Sequence, residues 1–204
     1  MLVIGLTGSI GMGKSTIAGR FRENGIAVCD ADAEVHKLYA GQAVPLIEAA
    51  FPGTTRAGAV DRVLLSRALQ SDPSGFKRLE AIVHPLVQQA ERDFLHAEAR
   101  RGAEMAVLEI PLLFETNGDA RVDFVVVVSA PADIQRQRVL ERPGMTVDKL
   151  EALLARQTPD DEKRARADFV IDTSRPLPES LAEVDQIVSV LRERSGTAFD
   201  QHWS

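Results

Sequence analysis

Short apolar runs at residues 2–6, 26–29, 106–110, 124–128 and 169–171 punctuate the chain, rich in Val, Ile and Leu and without strict polar alternation. Such runs are the mark of strands covered on both faces, as in a parallel sheet. Between them the spacing turns helical. Ile17, Ala18 and Phe21 share one face, as do Leu181, Val184, Ile187, Val188 and Leu191. The longest stripe runs through Leu79, Ile82, Val83, Leu86, Val87, Ala90, Phe94 and Leu95, and Pro85 is expected to divide or restart it. Asn24-Gly25 tolerates positive φ and predicts the end of the first helix. Ser129-Ala130-Pro131 with Asp133 predicts a capped helix start, and Pro143-Gly144 its stop. On that helix Arg138 and Arg142, four apart, are expected to share a face. Residues 146–157 and 159–167 read as two more helices. Residues 33–101 read as almost wholly helical with no strand. Residues 195–204 are polar and predicted to fray, despite Phe199 and Trp203. Strand–helix alternation with right-handed crossovers predicts an α/β fold with a five-stranded parallel sheet.

Composition narrows the class. With 204 residues, 45% of them hydrophobic and 26% charged, the chain is expected to form one globular unit with an inserted helical part. No run approaches the ~20 apolar residues of a membrane span, and no basic residue precedes Leu2 as a secretory signal requires, so the chain reads as unprocessed and not membrane-bound. The single cysteine, Cys29, lies in an apolar run and reads as a buried reduced thiol, consistent with a cytoplasmic location. A net charge of −6 argues against a nucleic-acid surface.

The chemistry begins at Gly8-Ser9-Ile10-Gly11-Met12-Gly13-Lys14-Ser15, then Thr16, which fills G-x-x-x-x-G-K-[ST] directly after the first strand. Glycines let consecutive backbone N–H groups converge on phosphate oxygens, Lys14 supplies a charge for the β- and γ-phosphates, and the Ser15 hydroxyl can ligate Mg²⁺. The following helix turns its positive end toward the anion. ATP and Mg²⁺ are the expected ligands.

The second strand delivers Asp30-Ala31-Asp32 to the carboxyl edge of the sheet, where open α/β folds bind ligands. Each carboxylate is a candidate for Mg²⁺-bound water, a helix cap or a general base. Glu109 near the end of its strand is a candidate for the magnesium surroundings or a structural ion partner. Arg62 and His84, taken alone, read as a solvated helix charge and a structural histidine.

A GTPase would need N-K-x-D, yet Asn24 and Asn117 are the only asparagines and each precedes Gly; no Gly-Gly serves a transporter-type signature. A phosphate loop, an acidic pair, a helical insertion and an arginine-bearing helix together describe a small-molecule kinase.

Over residues 1–194 the chain resembles dephospho-coenzyme A kinases. The likeness rests on the phosphate loop, Asp30-Ala31-Asp32 with His36, Asp61-Arg62, His84-Pro85-Leu86-Val87, Pro111-Leu112-Leu113-Phe114-Glu115, Arg138 and Arg142, Arg156-Gln157, and Ala167-Asp168-Phe169-Val170-Ile171-Asp172. It implies a P-loop three-layer kinase fold with its core at about residues 1–32, 103–135 and 167–194. It further implies an acceptor-binding insertion at about 33–102, a helical lid at about 136–166 and a flexible tail at 195–204. Gly8, Gly11, Met12, Gly13, Lys14, Ser15 and Thr16 are then expected to bind nucleotide, with Ser15 on Mg²⁺ and Asp30 behind it. Asp32, Lys14, Arg142 and Arg138 are expected to be catalytic. Asp32, His36, Arg62 and His84 are expected to hold dephospho-CoA in a monomeric enzyme. Glu109 stands where the family more often has Asp, and Thr173 where it often has Asn. Two other readings are a kinase of another nucleoside or nucleotide and a non-catalytic nucleotide-binding module.

Overall fold

Along the chain run β1 (Leu2–Thr7), α1 (Lys14–Glu23), β2 (Ala27–Asp30), α2 (Ala31–Tyr39), α3 (Ala43–Ala50), β3 (Thr55–Arg56), β4 (Ala59–Val60), α4 (Arg62–Gln70) and α5 (Gly75–Arg100). Then come β5 (Met105–Glu109), β6 (Phe124–Ser129), α6 (Ala132–Leu140), α7 (Val147–Leu154), α8 (Asp160–Ala165), β7 (Phe169–Asp172) and α9 (Leu177–Leu191). This is a computed structural model that describes residues 1–72 and 74–204. The chain divides into two compact units, one of Met1–Cys29 with Leu95–Ser204, the other of Asp30–Phe94.

In the first unit the apolar runs pair into one five-stranded sheet of order β2-β5-β1-β6-β7. β1 runs parallel to β5 (Leu2 opposite Met105, Leu6 opposite Glu109) and to β6 (Ile4 opposite Phe124), and β7 runs parallel to β6 (Val126 opposite Phe169). Strand periodicity splits the buried side chains between two faces. Leu2, Ile4, Leu6, Val126 and Val128 join Ile17, Ala18 and Phe21 of α1 and Val184, Ile187, Val188 and Leu191 of α9. Val125 and Val127 instead join Leu113 and Phe114. Cys29 is buried.

The chain's end does not fray. Thr197 and Ala198 donate their N–H groups to Asp123 Oδ1 at 2.6 and 2.9 Å, while Asp123 Oδ2 accepts from Val3 N–H at 2.8 Å. Trp203, 2% exposed, donates Nε1–H to the Arg121 carbonyl at 2.8 Å, and His96 packs edge-on against Phe199. The polar composition hid one aromatic anchor and one carboxylate hub. Trp203→Ala is expected to cost about 3 kcal/mol, the usual loss for emptying a buried aromatic site. A urea melt of this variant against the wild type checks it.

The second unit packs Leu38, Ala43, Ile47, Phe51, Val60, Leu65, Leu69 and Val83 into its own core. This unit departs from the sequence pattern in two places. β3 and β4 form a two-residue antiparallel hairpin, turned by Ala57 (φ 50) and Gly58 (φ 79) in left-handed conformation. And α5 runs unbroken through Pro85. The proline's missing hydrogen bond, about 3 kcal/mol in an isolated helix, is offset because Leu79, Ile82, Val83, Leu86 and Val87 pack on both sides of it.

Candidate functional site

The phosphate loop leaves β1 at its carboxyl end and enters α1 through Gly13, which caps the helix in left-handed conformation at φ 89. Two glycines are obligatory for packing as well as for φ. A Cβ on Gly8 would run into the Val128 carbonyl, and one on Gly11 into Val139 of α6. Lys14 lies at the first helical position, and its Nζ donates to the Gly8 carbonyl at 2.6 Å. The ammonium therefore folds back along the loop it belongs to. Ser15 and Thr16, next on the helix, are exposed. N–H groups in a helix's first turn lack intrahelical acceptors and carry its positive end, so loop, ammonium and hydroxyl together fit a polyphosphate with its cation.

The loop's backbone is held from outside by side chains of distant segments, of which the sequence pattern marks Gln157 and Thr173 only as points of family comparison and Gln135 not at all. Gln135 of α6, 6% exposed, donates Nε2–H to the Ile10 carbonyl at 2.8 Å. Gln157, past α7, accepts the Ile10 N–H on Oε1 at 3.3 Å. Thr173, past β7, donates its hydroxyl to the Met12 carbonyl at 2.8 Å, and the Ala130 N–H meets Met12 Sδ at 3.1 Å. Buried polar side chains need partners, which is the one signal that Gln135 offered on an otherwise polar helix.

The arginines sit differently from the expectation. α6 ends at Leu140, so Arg142 is off the helix and exposed, its N–H bonded to the Val139 carbonyl. Pro143 is the reason, because a residue before proline is steered away from helical conformation. Arg138 remains on α6 and gives its guanidinium to Thr173, 3.0 Å to Oγ1 and 2.7 Å to the carbonyl. The two share no helical face. The expected Ser129 cap is also absent: Pro131 occupies the cap position without a side-chain bond, and Ser129 Oγ donates to Asp160 at 2.6 Å.

Glu115 ends the Pro-Leu-Leu-Phe-Glu run and anchors the segment between α7 and α8. Its Oε1 accepts the Thr158 N–H at 2.7 Å and pairs at 3.1 Å with Lys163 of α8, whose side chain is fully buried. Burial pushes the Glu115 carboxyl up, but the Thr158 and Glu115 N–H groups and the Lys163 ammonium outweigh it and hold it below the usual carboxylate range. A depressed carboxylate pKa stabilises the fold above its unfolded value, near 4.3, and that stabilisation fades as pH falls through the folded value. Glu115→Gln is accordingly expected to lose about 3 kcal/mol at pH 7, where it strands a buried cation, and to close much of its gap from wild type in acid. Urea melts of both proteins at pH 7 and below pH 4 measure this.

In the second unit Asp30 and Asp32 have different surroundings. Asp30 caps α2, its Oδ1 accepting the Ala33 N–H at 3.1 Å. Asp32 is exposed in the first turn of α2, and its carboxylate joins none of that unit's hydrogen bonds among the described residues. Its carbonyl is 2.7 Å from His36 Nδ1, and Arg62 is 2.7 Å from His36 Nε2. Guanidinium only donates, so this network assigns His36 the neutral tautomer with its proton on Nδ1. Arg62 opens α4 directly after Asp61, which caps that helix through the Val63 and Leu64 N–H groups. Tyr39 lies three residues past His36; burial pushes its phenol up against the pull of Arg62. His84, exposed on α5, has no hydrogen bond to this group among the described residues. Glu109 is buried at the end of β5. Among the described residues no cluster of three or more His, Cys, Asp or Glu is arranged to hold a metal ion by itself.

The family model for dephospho-CoA kinase matches residues 2–179. A dephospho-CoA kinase of Rhizobium etli is 59% identical over 194 residues, 95% of this chain and 96% of its own. The crystal structure of TT1252 from Thermus thermophilus superposes with a TM-score of 0.79 at 35% identity, covering 96% of this chain and 98% of that one. A dephospho-CoA kinase from Campylobacter jejuni gives a TM-score of 0.72 at 23% identity over 94% of this chain and 97% of its own, a likeness of fold.

Proposed function

The chain belongs to the dephospho-CoA kinase family, and on that premise we propose that it moves the γ-phosphoryl group of ATP to the ribose 3′-hydroxyl of dephospho-CoA, giving CoA and ADP. The observation that carries this reading is the phosphate loop with Lys14 laid along it, in a chain whose resemblance spans nearly its whole length.

In this reading the loop N–H groups and Lys14 bind the β- and γ-phosphates, and the Ser15 hydroxyl would hold Mg²⁺, with Asp30 as a more distant carboxylate. Bound there, the ion would supply positive charge against the negative charge that builds on the phosphate oxygens. Asp32 orients the ribose hydroxyl and takes its proton as the new O–P bond forms and the bond to the ADP oxygen breaks. Residues at about 136–166 act as a lid. Its Arg142, exposed and off the helix, meets the transferring group on closure, while Arg138 positions through Thr173. Phosphoryl transfer has a loose, charge-spread transition state, so these cations supply most of the stabilisation. His36, Arg62 and His84 bind the acceptor, with the insertion at about 33–102 as its platform. The enzyme acts as a monomer in the cytoplasm without nucleic acid. The charge of −6 supports the exclusion of nucleic acid, and the buried Cys29 supports a reducing compartment.

An acceptor panel with ATP tests the reading, comparing kcat/KM for dephospho-CoA, nucleosides and nucleoside monophosphates. Dephospho-CoA should lead. A preference for uridine or a monophosphate would replace the acceptor, and ATP binding with no acceptor-dependent ADP release would replace the enzyme with a binding module.

A further inference from the structure

We propose that Gln135 and Gln157 are positioning residues that clamp the phosphate loop at Ile10 and thereby set its affinity for nucleotide; the proposal rests on the reading of the loop as the ATP site. Ile10 lies between two residues of unusual backbone freedom, Gly8 at φ 154 and Gly11 at φ 80. Only Ser9 separates Gly8 from Ile10, and the Ile10–Gly11 peptide borders a glycine directly; a peptide beside a glycine can rotate at little steric cost, and rotation by half a turn swaps an N–H for a C=O. In a loop built to face anions, that swap replaces attraction by repulsion.

Both polar atoms of Ile10 are held. Gln135 donates to the carbonyl at 2.8 Å and Gln157 accepts from the N–H at 3.3 Å. Rotation of the Ile10–Gly11 peptide would break the carbonyl's bond and leave the buried Gln135 amide without its acceptor, a penalty beyond the loss of a solvated bond, while rotation of the Ser9–Ile10 peptide would break the bond to Gln157. The two glutamines come from opposite ends of the segment that carries Arg138 and Arg142. Gln135 stands on the first helix of that segment and Gln157 lies just past its second. Both ends of the arginine-bearing excursion therefore meet on one residue of the loop. Next to them Gly11 packs so tightly against α6 that a Cβ would strike Val139, which leaves the clamp little slack.

Ordering the loop in advance removes an entropy cost otherwise met on binding. Gln157→Met keeps length and volume while removing the acceptor, and Gln157 is only half-buried, so the fold should persist. The expected result is an ATP Kd raised about five- to tenfold, the size of one polar bond. KM for ATP should rise alongside it, with kcat and the dephospho-CoA KM within about twofold of wild type. A merely structural lesion would instead lower kcat with the folded fraction.

Gln135→Met should act similarly, and the double variant distinguishes a clamp from two separate supports. If both glutamines work by holding Ile10, losing the second after the first costs little, and the double variant stays within about twofold of the weaker single variant. Independent supports would multiply. Calorimetric titration with ATP alone gives these constants without any acceptor, so a wrong acceptor assignment leaves the test intact. An unchanged ATP Kd in Gln157→Met, or multiplicative losses in the double variant, would overturn the proposal. Should Gln135→Met not fold, the Gln157→Met titration decides alone.

Discussion

Lys14→Ala is expected to lower kcat by about 10³-fold or more while leaving the fold intact, because the ammonium acts on charge that develops only in transfer. The side chain is half-buried and its amine bonds to the Gly8 carbonyl, so its loss empties no part of the core formed by Ile17, Ala18 and Phe21. Substitution also spares helix α1, since alanine is the best helix former. Turnover under saturating ATP and acceptor, with a thermal melt of the same preparation, separates the two effects. Near-normal kcat would remove Lys14 from the chemistry.

Asp32→Asn should keep the fold and ATP affinity and lower kcat by about 10²-fold or more, the range for losing a positioned base. Asp30→Asn should fail otherwise. The Asp30 carboxylate is already engaged as the α2 cap. Asparagine caps nearly as well as aspartate, so stability should fall by less than the ~1 kcal/mol that alanine would cost, and any activity defect should shrink at high magnesium. The measurement is kcat against magnesium concentration for both variants, with melts as control. Rescue of Asp32→Asn by magnesium, without rescue of Asp30→Asn, would exchange the two assignments.

Each feature was legible in the sequence to the extent that its physical cause leaves a pattern there. The strands were legible because a strand buried on both faces must be apolar throughout, as Val125, Val126, Val127 and Val128 are. Helix α1 was legible in its three buried positions and in the Gly25 stop. The β3–β4 hairpin was not, since two residues per strand carry no period. The docked end was missed because one Trp203 and one Asp123 do the anchoring, and neither makes a pattern. Pro85 misled for a thermodynamic reason: intrinsic cost was visible in the sequence, compensating packing was not. Motif spacing located the phosphate loop and narrowed the candidates to Asp30 and Asp32, but only geometry assigns Asp30 the cap. Gln135, Gln157 and Thr173 could not be foreseen as a set. Each bonds to loop backbone from a distant segment, and such contacts leave no trace in hydrophobic periodicity.

Incubating the enzyme with ATP, Mg²⁺ and dephospho-CoA and locating the new phosphate in the product by ³¹P and ¹H NMR decides whether the 3′-hydroxyl is the acceptor. One phosphate on the ribose 3′-oxygen, one ADP per product, and no product from Lys14→Ala is the predicted result. ADP release with dephospho-CoA left unmodified, or phosphate at any other oxygen, would contradict it.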